Sequence, residues 1–274
     1  QIGLDYDATA QKVVIAYRDE GNSNYGTAVV GTVSGDSISY GTPVVFESGS
    51  TLWVGATFDS DSNKVVIAYL DLGNSSYGTA VVGTVSGTTI SFGSVVVFQS
   101  TSISGYGTGI TFDSNSNKVV IAYNDQNVNN GTAIVGTVSG TSISFGTAVV
   151  YNSAVVYYTS CTFDSNSNKV VIGYRDGGNS YHGYGIVGTE AASTQLISAT
   201  FDSDSNKVVI AYNDEDNSSY GTAVVGTVSG TAISFGTPVV FEAAATNTPS
   251  ATFDSSSNKV VIAYSDGGNS DHGT

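Results

Sequence analysis

Asn63-Lys64-Val65-Val66-Ile67-Ala68-Tyr69 is the stretch of sequence that decides the fold, because this stretch or a close variant occurs six times in the chain. The other copies are at 11–17, 117–123, 168–174, 206–212 and 258–264. Runs of β-branched and aromatic residues, bounded by Asn, Asp, Ser and Gly, are typical of β-strands separated by tight turns. The sequence therefore predicts an array of repeated all-β units.

Each complete repeat predicts four strands, which we call a to d. In the second repeat, a is 55–58, b is 64–69, c is 78–85 and d runs from about 89 to 98. The Asp-Ser-Asp-Ser-Asn segment at 59–63 predicts a tight turn between a and b, because short polar side chains bond their own backbone there. The sequence shows no sustained helical period.

Four antiparallel strands in a unit of about 50 residues, repeated along the chain, predict a β-propeller of about six blade-like repeats in a single domain. The repeats are at about 1–50, 51–101, 102–153, 154–193, 194–245 and 246–274. The fourth is about 14 residues shorter than its neighbours and lacks most of d, and the sixth contains only a and b. A five-blade ring or an open repeat array are the alternatives, and unpaired strand edges in the incomplete repeats would favour self-association.

The repeat also resembles known propeller families. The Asp-x-x-x-Asn-Lys-Val-Val-Ile hairpin at 59–67 resembles the first hairpin of many propeller blades. The Gly-Thr-Val-Ser-Gly-x-x-Ile-Ser-Phe-Gly stretch at 83–93 resembles blades of sialidase-like and lectin-like propellers, and the chain is similar to repetitive propeller arrays of environmental microbes and their phages. The resemblance implies a propeller fold. It does not imply sialidase activity, because the Ser-x-Asp-x-Gly-x-x-Trp box of sialidases is absent.

The charge of the chain limits its partners. There are 23 acidic and 8 basic residues, and the formal net charge is −15. Such a surface repels phosphate backbones and anionic membrane surfaces, so nucleic acid is not an expected partner. Membrane insertion is not expected either, because no apolar run is long enough to span a bilayer.

The only cysteine, Cys161, stands where other repeats have Ala or Ile, which predicts a small core residue.

The segments between d and the next a, which we call the d–a windows, vary most from repeat to repeat. In contrast, Gly-Thr-Ala-Val-Val-Gly-Thr-Val-Ser-Gly is identical at 26–35, 78–87 and 221–230. In a propeller with a innermost, the d–a windows and the b–c loops emerge on one face, where loops on a rigid scaffold commonly carry recognition. Exposed aromatic side chains there suit sugar faces and protein hot spots. The predicted ligand-binding residues are Trp53, Tyr106, Tyr157, Tyr158, Gln195 and Asn247.

These patterns favour a non-catalytic extracellular module on a cell or virion surface that recognises a glycan or a surface protein. A structural spacer or filament unit is the alternative; in such a unit the residues of the d–a windows would vary because no ligand constrains them. A glycosidase or lyase is less favoured, and no catalytic residue is predicted. A sialidase site needs arginines that converge on one carboxylate, but Arg18 and Arg175 occupy equivalent positions in different repeats. A glycosidase needs two paired carboxylates, but Glu20 and Glu215 do not lie in one repeat. The two histidines, His182 and His272, are too few for a metal site.

Two acidic patterns could bind cations. Asp59-x-Asp61-x-Asn63 and Asp202-x-Asp204-x-Asn206 alternate oxygen donors as a calcium loop does, but the downstream Gly and Glu of an EF-hand are absent. We expect plain turns and no cofactor, with calcium at Asp59, Asp61, Asp202 and Asp204 as the alternative. The Asp that follows b in every repeat is expected to bond loop backbone; these residues are Asp19, Asp71, Asp125, Asp176, Asp214 and Asp266.

Overall fold

The computed structural model describes residues 2–103, 107–179, 181–186, 194–214, 217–229 and 232–274. In these ranges the extended elements are β-strands and the helical ones are short 3-10 turns, so the predicted all-β class is confirmed. The chain divides into two compact units, Gln1–Val150 and Tyr151–Thr274. Of the described residues, none forms a helix with the length and apolarity that a membrane crossing requires. The single domain and the repeat boundaries stay predictions.

The first unit contains the first three repeats. Its strands are β1 (Ile2–Asp7), β2 (Lys12–Asp19), β3 (Tyr25–Ser34), β4 (Ser37–Tyr40), β5 (Val44–Asp59), β6 (Lys64–Asp71), β7 (Tyr77–Ser86), β8 (Thr89–Phe92), β9 (Val96–Ser102), β10 (Gly109–Asp113), β11 (Lys118–Asp125), β12 (Asn130–Ser139) and β13 (Ser142–Phe145); β14 (Val149–Asn152) runs over the unit boundary. Short 3-10 turns at Glu20–Asn22 and Leu72–Asn74 follow β2 and β6.

The second unit contains the last three repeats. Its strands are β15 (Val156–Asp164), β16 (Lys169–Asp176), β17 (Gly183–Ile186), β18 (Thr194–Asp202), β19 (Lys207–Asp214), β20 (Tyr220–Ser229), β21 (Ala232–Phe235), β22 (Val239–Asp254), β23 (Lys259–Asp266) and β24 (His272–Gly273). A 3-10 turn at Gly267–Asn269 follows β23.

Strands a, b and c form antiparallel sheets, as the repeat predicted. In the second repeat, Phe58 of a pairs with Val65 of b, and Ile67 of b pairs with Val81 of c. In the fourth repeat, β17 is the described part of c, and the predicted shortening falls on residues 187–193, which lie outside the described ranges. The sixth repeat was predicted to end after b, but β24 adds a two-residue partner that pairs with Ser265 and Asp266.

The prediction of one continuous strand d is wrong. In the second repeat d consists of β8 and β9, which pair with the C-terminal and N-terminal halves of β7, respectively. The interruption begins at Gly93, where an added Cβ would lie only 1.8 Å from the carbonyl oxygen of Thr141 in the next repeat. The break in d therefore lets neighbouring repeats approach closely.

Two of the d–a windows are continuous strand where loops were predicted. β5 continues unbroken from d of the first repeat into a of the second, and β22 does the same between the fifth and sixth. A β-bulge lies where a begins: Leu52 pairs with Leu70 and Gly55 with Ala68, so two residues face one. Such a bulge bends and twists the strand, so the chain can pass from one sheet to the next without a loop.

Consecutive repeats pack through a recurring aromatic pair. The ring of Phe46 on d lies 5.2 Å from that of Tyr69 on the next b strand, measured between centroids. The same separation joins Phe98 to Tyr123, Tyr151 to Tyr174 and Phe241 to Tyr264. In these four repeats, the Tyr that ends the Lys-Val-Val-Ile motif thus packs against the preceding repeat.

The a strands of consecutive repeats lie side by side within each unit. In the first unit, Asp5 Oδ2 accepts a hydrogen bond of 2.7 Å from the Phe58 amide. In the second unit, the Ser198 hydroxyl oxygen accepts one of 2.9 Å from the Ala251 amide. Cys161 on β15 is buried, as predicted for a core residue.

Candidate functional site

Three tyrosines surround one guanidinium in the fourth repeat. The Cζ atom of Arg175 lies 4.4 Å from the ring centroid of Tyr181, 5.8 Å from that of Tyr157 and 5.9 Å from that of Tyr158. The rings of Tyr157 and Tyr181 are 5.9 Å apart and tilted by 53°. We call these four residues the tyrosine–arginine cluster.

The β-bulge of strand a brings two consecutive tyrosines to the same arginine. Tyr157 pairs with Arg175 and Ser160 with Gly173, so the two residues between Tyr157 and Ser160 face only Tyr174. Tyr158 takes a left-handed φ of 50°. In a regular strand, consecutive side chains point to opposite faces. The bulge breaks this alternation, so both rings lie within 6 Å of Arg175.

Tyr181 enters the cluster from the b–c loop, also with a left-handed backbone. Its φ is 62°, and the corresponding residues in other repeats have φ values of 59–63°. Those residues are small and polar: Asn24, Ser76, Ser219 and Asp271. A bulky residue in this conformation costs about 1–3 kcal/mol, and such strain is concentrated at functional sites. The strained residue here is the one that stacks most closely on Arg175.

Gly177 makes room for Tyr157. A Cβ at Gly177 would lie 2.7 Å from Cε2 of Tyr157 and 2.5 Å from Cγ1 of Val155. The first two repeats have Glu20 and Leu72 at this position. The glycine therefore allows the Tyr157 ring to lie against the b–c loop.

The cluster combines apolar faces with charged donors at the surface. Tyr181 is 45% exposed, and the other three residues are half-buried. The adjacent Asp176 is used within the loop, because its Oδ1 accepts a hydrogen bond of 2.8 Å from the Gly178 amide. Burial, with Asp176 and Tyr184 nearby, raises the pKa of Tyr174 to about 12, so this neighbouring phenol stays neutral at physiological pH.

The other predicted ligand-binding residues lie in separate places. Trp53 occupies the bulge position equivalent to Tyr158, with a φ of 54°, but is half-buried and packs against apolar core. Asn247 is exposed on β22 and pairs with Ser265. Gln195 lies on β18 and pairs with Asn213, and Tyr106 lies outside the described residues. Of the six, the structure brings Tyr157 and Tyr158 together, and the ligand-binding role of each stays a prediction.

Sequence reasoning missed Arg175 and Tyr181 as site residues. The position of Arg175 is occupied by Leu70, Asn124, Asn213 and Ser265 in four other repeats, and that of Tyr181 by small polar residues. The signal was present as a departure from the repeat consensus in the b–c region. The prediction of the site relied on the d–a windows, which vary more from repeat to repeat than the b–c loops do.

The candidate calcium loops are Asx turns, as expected. Asp59 Oδ1 accepts hydrogen bonds of 2.9 Å and 3.0 Å from the amides of Asp61 and Ser62. Asp202 Oδ1 does the same with Asp204 and Ser205, at 3.0 Å and 3.1 Å. Within the described ranges, no three His, Cys, Asp or Glu side chains are grouped so as to hold a metal ion. The calcium alternative stays a prediction.

The Asp that follows strand b has the expected structural role in four repeats. Asp71, Asp125, Asp176 and Asp266 each accept a hydrogen bond of 2.8–3.1 Å from a backbone amide two or three residues further on. These carboxylates therefore hold the b–c loops in shape.

No protein-family model matches the chain, and no curated protein matches its sequence. Solved structures share its fold. AofleA from Arthrobotrys oligospora superposes with a TM-score of 0.63 at 10% identity, covering 96% of this chain and 78% of that one. A triple arginine-to-alanine mutant of AofleA gives 0.62 at 12% identity, with 92% and 75% covered. A Dyadobacter fermentans protein of unknown function gives 0.64 at 10% identity, with 96% and 89% covered. At these identities the likeness concerns the fold, and any argument about function must come from the site.

Proposed function

We propose that this chain is a non-catalytic binding module that recognises a glycan through the tyrosine–arginine cluster. The observation that carries the proposal is the packing of three tyrosine rings around Arg175, two of them on left-handed backbone. A sugar ring presents apolar C–H faces together with hydroxyl groups. Aromatic rings suit the first, and the N–H donors of a guanidinium suit the second.

The fold supports this proposal without carrying it. Side-by-side a strands within each unit are what blades of a β-propeller require. We propose that the repeats are such blades, with six blades and a closed ring as part of the proposal. Folds of this kind host many functions, so the glycan assignment depends on the cluster.

The cluster takes its residues from the two regions that a propeller presents on one face. Tyr157 and Tyr158 belong to the d–a window of their repeat, and Tyr181 belongs to its b–c loop. A glycan ligand agrees with an extracellular, cell-surface or virion-surface location, which we include in the proposal. A surface protein is the other ligand class, and its aromatic and arginine contacts would use the same four residues.

The test is glycan-array screening followed by calorimetric titration of the best ligand. Arg175→Ala should weaken binding at least about tenfold, which corresponds to about 1.4 kcal/mol. Arg18→Ala is the matched control, because Arg18 has the equivalent position in the first repeat and its Nε donates a hydrogen bond of 3.0 Å to Asn24. Equal affinities for both variants, or hydrolysis of chromogenic glycosides by the wild type, would contradict the proposal.

A second candidate function, self-association as a structural unit, belongs to the alternative of an open repeat array and is favoured by one face of β1. Ile2, Leu4 and Tyr6 are 63%, 51% and 51% exposed. The residues equivalent to Ile2 and Tyr6 in the second repeat, Val54 and Phe58, are only 2% and 9% exposed. We propose a second copy of the chain as the partner for this face. Light scattering should then show an oligomer that Leu4→Lys converts to monomer, and a monomeric wild type would exclude this candidate.

A further inference from the structure

The b–c loop of the fourth repeat differs in charge from the other b–c loops. The segment 175–181 contains one basic and one acidic residue, so it is formally neutral. The equivalent segments at 18–24, 70–76, 124–129, 213–219 and 265–271 all carry net negative charge, as does the whole chain at −15. Gly177 contributes to this difference, because the first and fifth repeats have Glu20 and Glu215 at its position. The tyrosine–arginine cluster therefore lies at the least acidic b–c loop of the chain.

The acidic residue of this loop is directed away from the cluster. Asp176 follows Arg175 on β16, and consecutive side chains of a strand point to opposite faces. Burial and the charge of Asp176 raise the pKa of Tyr174, which lies two residues away on the same face as Asp176. Oδ1 of Asp176 also accepts the hydrogen bond from the Gly178 amide. The carboxylate that is nearest to Arg175 in sequence thus serves the loop backbone and not the cluster.

The polar groups of the cluster suit a ligand that accepts hydrogen bonds. A guanidinium has five N–H donors and no acceptor, and a phenol hydroxyl can donate as well. The N–H donors lie in the plane of the guanidinium, so the Tyr181 ring, 4.4 Å from Cζ of Arg175, leaves them directed to the edge. A carboxylate is an acceptor-only group that forms bidentate, charge-assisted hydrogen bonds with a guanidinium. The chemistry of the cluster therefore matches a carboxylate better than a neutral hydroxyl.

On the basis of the glycan-binding function proposed above, we propose that the tyrosine–arginine cluster selects a sugar residue that carries a carboxylate, as a uronic acid does. Arg175 binds the carboxylate, and the tyrosine rings contact the apolar face of the sugar. The ligand is a single acidic residue in an otherwise neutral glycan, because a long polyanion would extend to the negative b–c loops of other repeats. At physiological salt, charges more than about 8 Å away are largely screened, so those loops oppose a short acidic ligand only weakly.

The experiment compares each acid with its own methyl ester, which keeps the sugar ring and its stereochemistry but removes the charge. The full chain is titrated, with NMR detection, with the methyl glycosides of glucuronic, galacturonic and mannuronic acid and with their three esters. We expect at least one acid to bind at least about tenfold more tightly than its ester, because hydrogen bonds between charged groups are the stronger ones. Arg175→Gln should reduce this difference to about twofold or less, whereas the matched control Arg18→Gln should retain it.

A second pair of variants tests the ligand charge without changing Arg175. Tyr181→Asp and Tyr181→Asn have nearly the same shape, and both remove the ring. Both should fold, because the equivalent Asn24 and Asp271 have left-handed φ values of 63° and 59°. Asp adds a negative charge beside the bound carboxylate, so Tyr181→Asp should bind the acid at least about threefold more weakly than Tyr181→Asn does. The two variants should bind the ester equally.

The possible failures of this proposal and of the glycan-binding function are distinguishable. If none of the three acids binds more tightly than its ester, or if Tyr181→Asp and Tyr181→Asn bind the acid equally, the cluster does not select a carboxylate. Binding of a neutral glycan that depends on Arg175 would then leave the glycan-binding function standing. If no glycan on the array, acidic or neutral, binds to the chain, both proposals are wrong.

Discussion

The hydroxyl of Tyr69 donates a hydrogen bond of 3.0 Å to the carboxylate of Glu47, which lies on strand d of the preceding repeat. Tyr264 and Glu242 repeat this bond at the same distance. Burial and the nearby Glu47 carboxylate raise the pKa of Tyr69 far above its ordinary value, so the phenol remains a donor. Each of these junctions thus combines an aromatic contact with a charge-assisted hydrogen bond.

Removing this hydroxyl should weaken the second junction. Tyr69→Phe keeps the ring but leaves the Glu47 carboxylate without the phenol donor, and a hydrogen bond to a charged group contributes about 1.5–3 kcal/mol. We expect the free energy of unfolding, measured with urea, to fall by about 1–2 kcal/mol. Tyr17→Phe in the first repeat is the control; Tyr17 is half-exposed, and the change should stay within about 0.5 kcal/mol. Equal effects of the two substitutions would contradict this role of the bond.

Gly93 and Gly146 are equivalent residues with opposite surroundings. A Cβ at Gly93 would lie 1.8 Å from the Thr141 carbonyl oxygen, whereas at Gly146 the nearest atom among the described residues is the Val135 carbonyl oxygen at 3.8 Å. Because the obstacle at Gly93 is backbone, Gly93→Ala should force the two repeats apart and lower the free energy of unfolding by about 2 kcal/mol or more. Gly146→Ala should be neutral or raise it by up to about 1 kcal/mol. Thermal denaturation of both variants decides the matter, and equal melting temperatures would show that the contact is unimportant.

Asp71 should destabilise the fold as the pH rises. Burial, reinforced by the Glu47 carboxylate, raises its pKa above the ordinary 3.8. A carboxyl whose pKa is higher in the folded state than in the unfolded state loses its proton more easily on unfolding. The free energy of unfolding therefore falls as the pH rises from below 3.8 through the raised pKa. Asp71→Asn keeps an oxygen to accept from the Asn74 amide. It should therefore unfold at a higher urea concentration than the wild type at pH 7, with the difference vanishing below the ordinary pKa.

Asp202 is the control with the opposite sign. The Ser205 hydroxyl, with two backbone amides, lowers the pKa of Asp202, so its contribution to stability is present above the ordinary 3.8 and lost as the pH falls through the lowered value. Asp202→Asn should consequently unfold more easily than the wild type at pH 7 and equally easily at low pH. If the Asp71 and Asp202 variants shift stability in the same direction at pH 7, the assigned causes are wrong.

Tyr181→Asn should separate binding from stability. Asn tolerates a left-handed backbone, and the equivalent Asn24 has a φ of 63°. The substitution relieves backbone strain, which stabilises the variant by about 1 kcal/mol. It also removes a cation–π contact, which destabilises the variant by about 0.5–2 kcal/mol. We therefore expect the free energy of unfolding to change by less than about 1 kcal/mol, whereas glycan affinity should fall severalfold. Tyr181→Phe, which keeps the ring, should retain most of the affinity, and an Asn variant that binds as well as wild type would exclude Tyr181 from the site.

The strand pattern of the fold could be predicted because it depends on local sequence. The Lys-Val-Val-Ile motif and its flanking Asx turns identify a, b and c wherever they occur. The interruption of d was not predictable from strand propensity, because strand-forming residues flank it on both sides. It recurs at Gly146, and at both glycines the amide donates a hydrogen bond of 2.9 Å back to a carbonyl oxygen of strand c. The variable residues of the windows favour a prediction of loops, but variation of side chains does not prevent the backbone from pairing through a bulge.

The tyrosine–arginine cluster was predictable only in part, because its four residues come from different segments of the repeat. Tyr157 and Tyr158 stood out as paired aromatic residues in a variable window. Their common partner Arg175 lies on strand b and Tyr181 in the b–c loop, so their meeting depends on the bulge register and on the space at Gly177. Comparing all six repeats position by position would have marked both residues as departures from the consensus.

The most direct test of glycan recognition by the cluster uses the fact that the chain has two arginines, Arg18 and Arg175. The Nε–Hε region of a ¹H–¹⁵N correlation spectrum therefore holds two arginine side-chain signals, which the two single Ala variants assign. Titration with the best glycan from the array should shift the Arg175 signal in a saturable manner and leave the Arg18 signal in place. A bound glycan that leaves the Arg175 signal unchanged would contradict the proposal that the tyrosine–arginine cluster is the binding site.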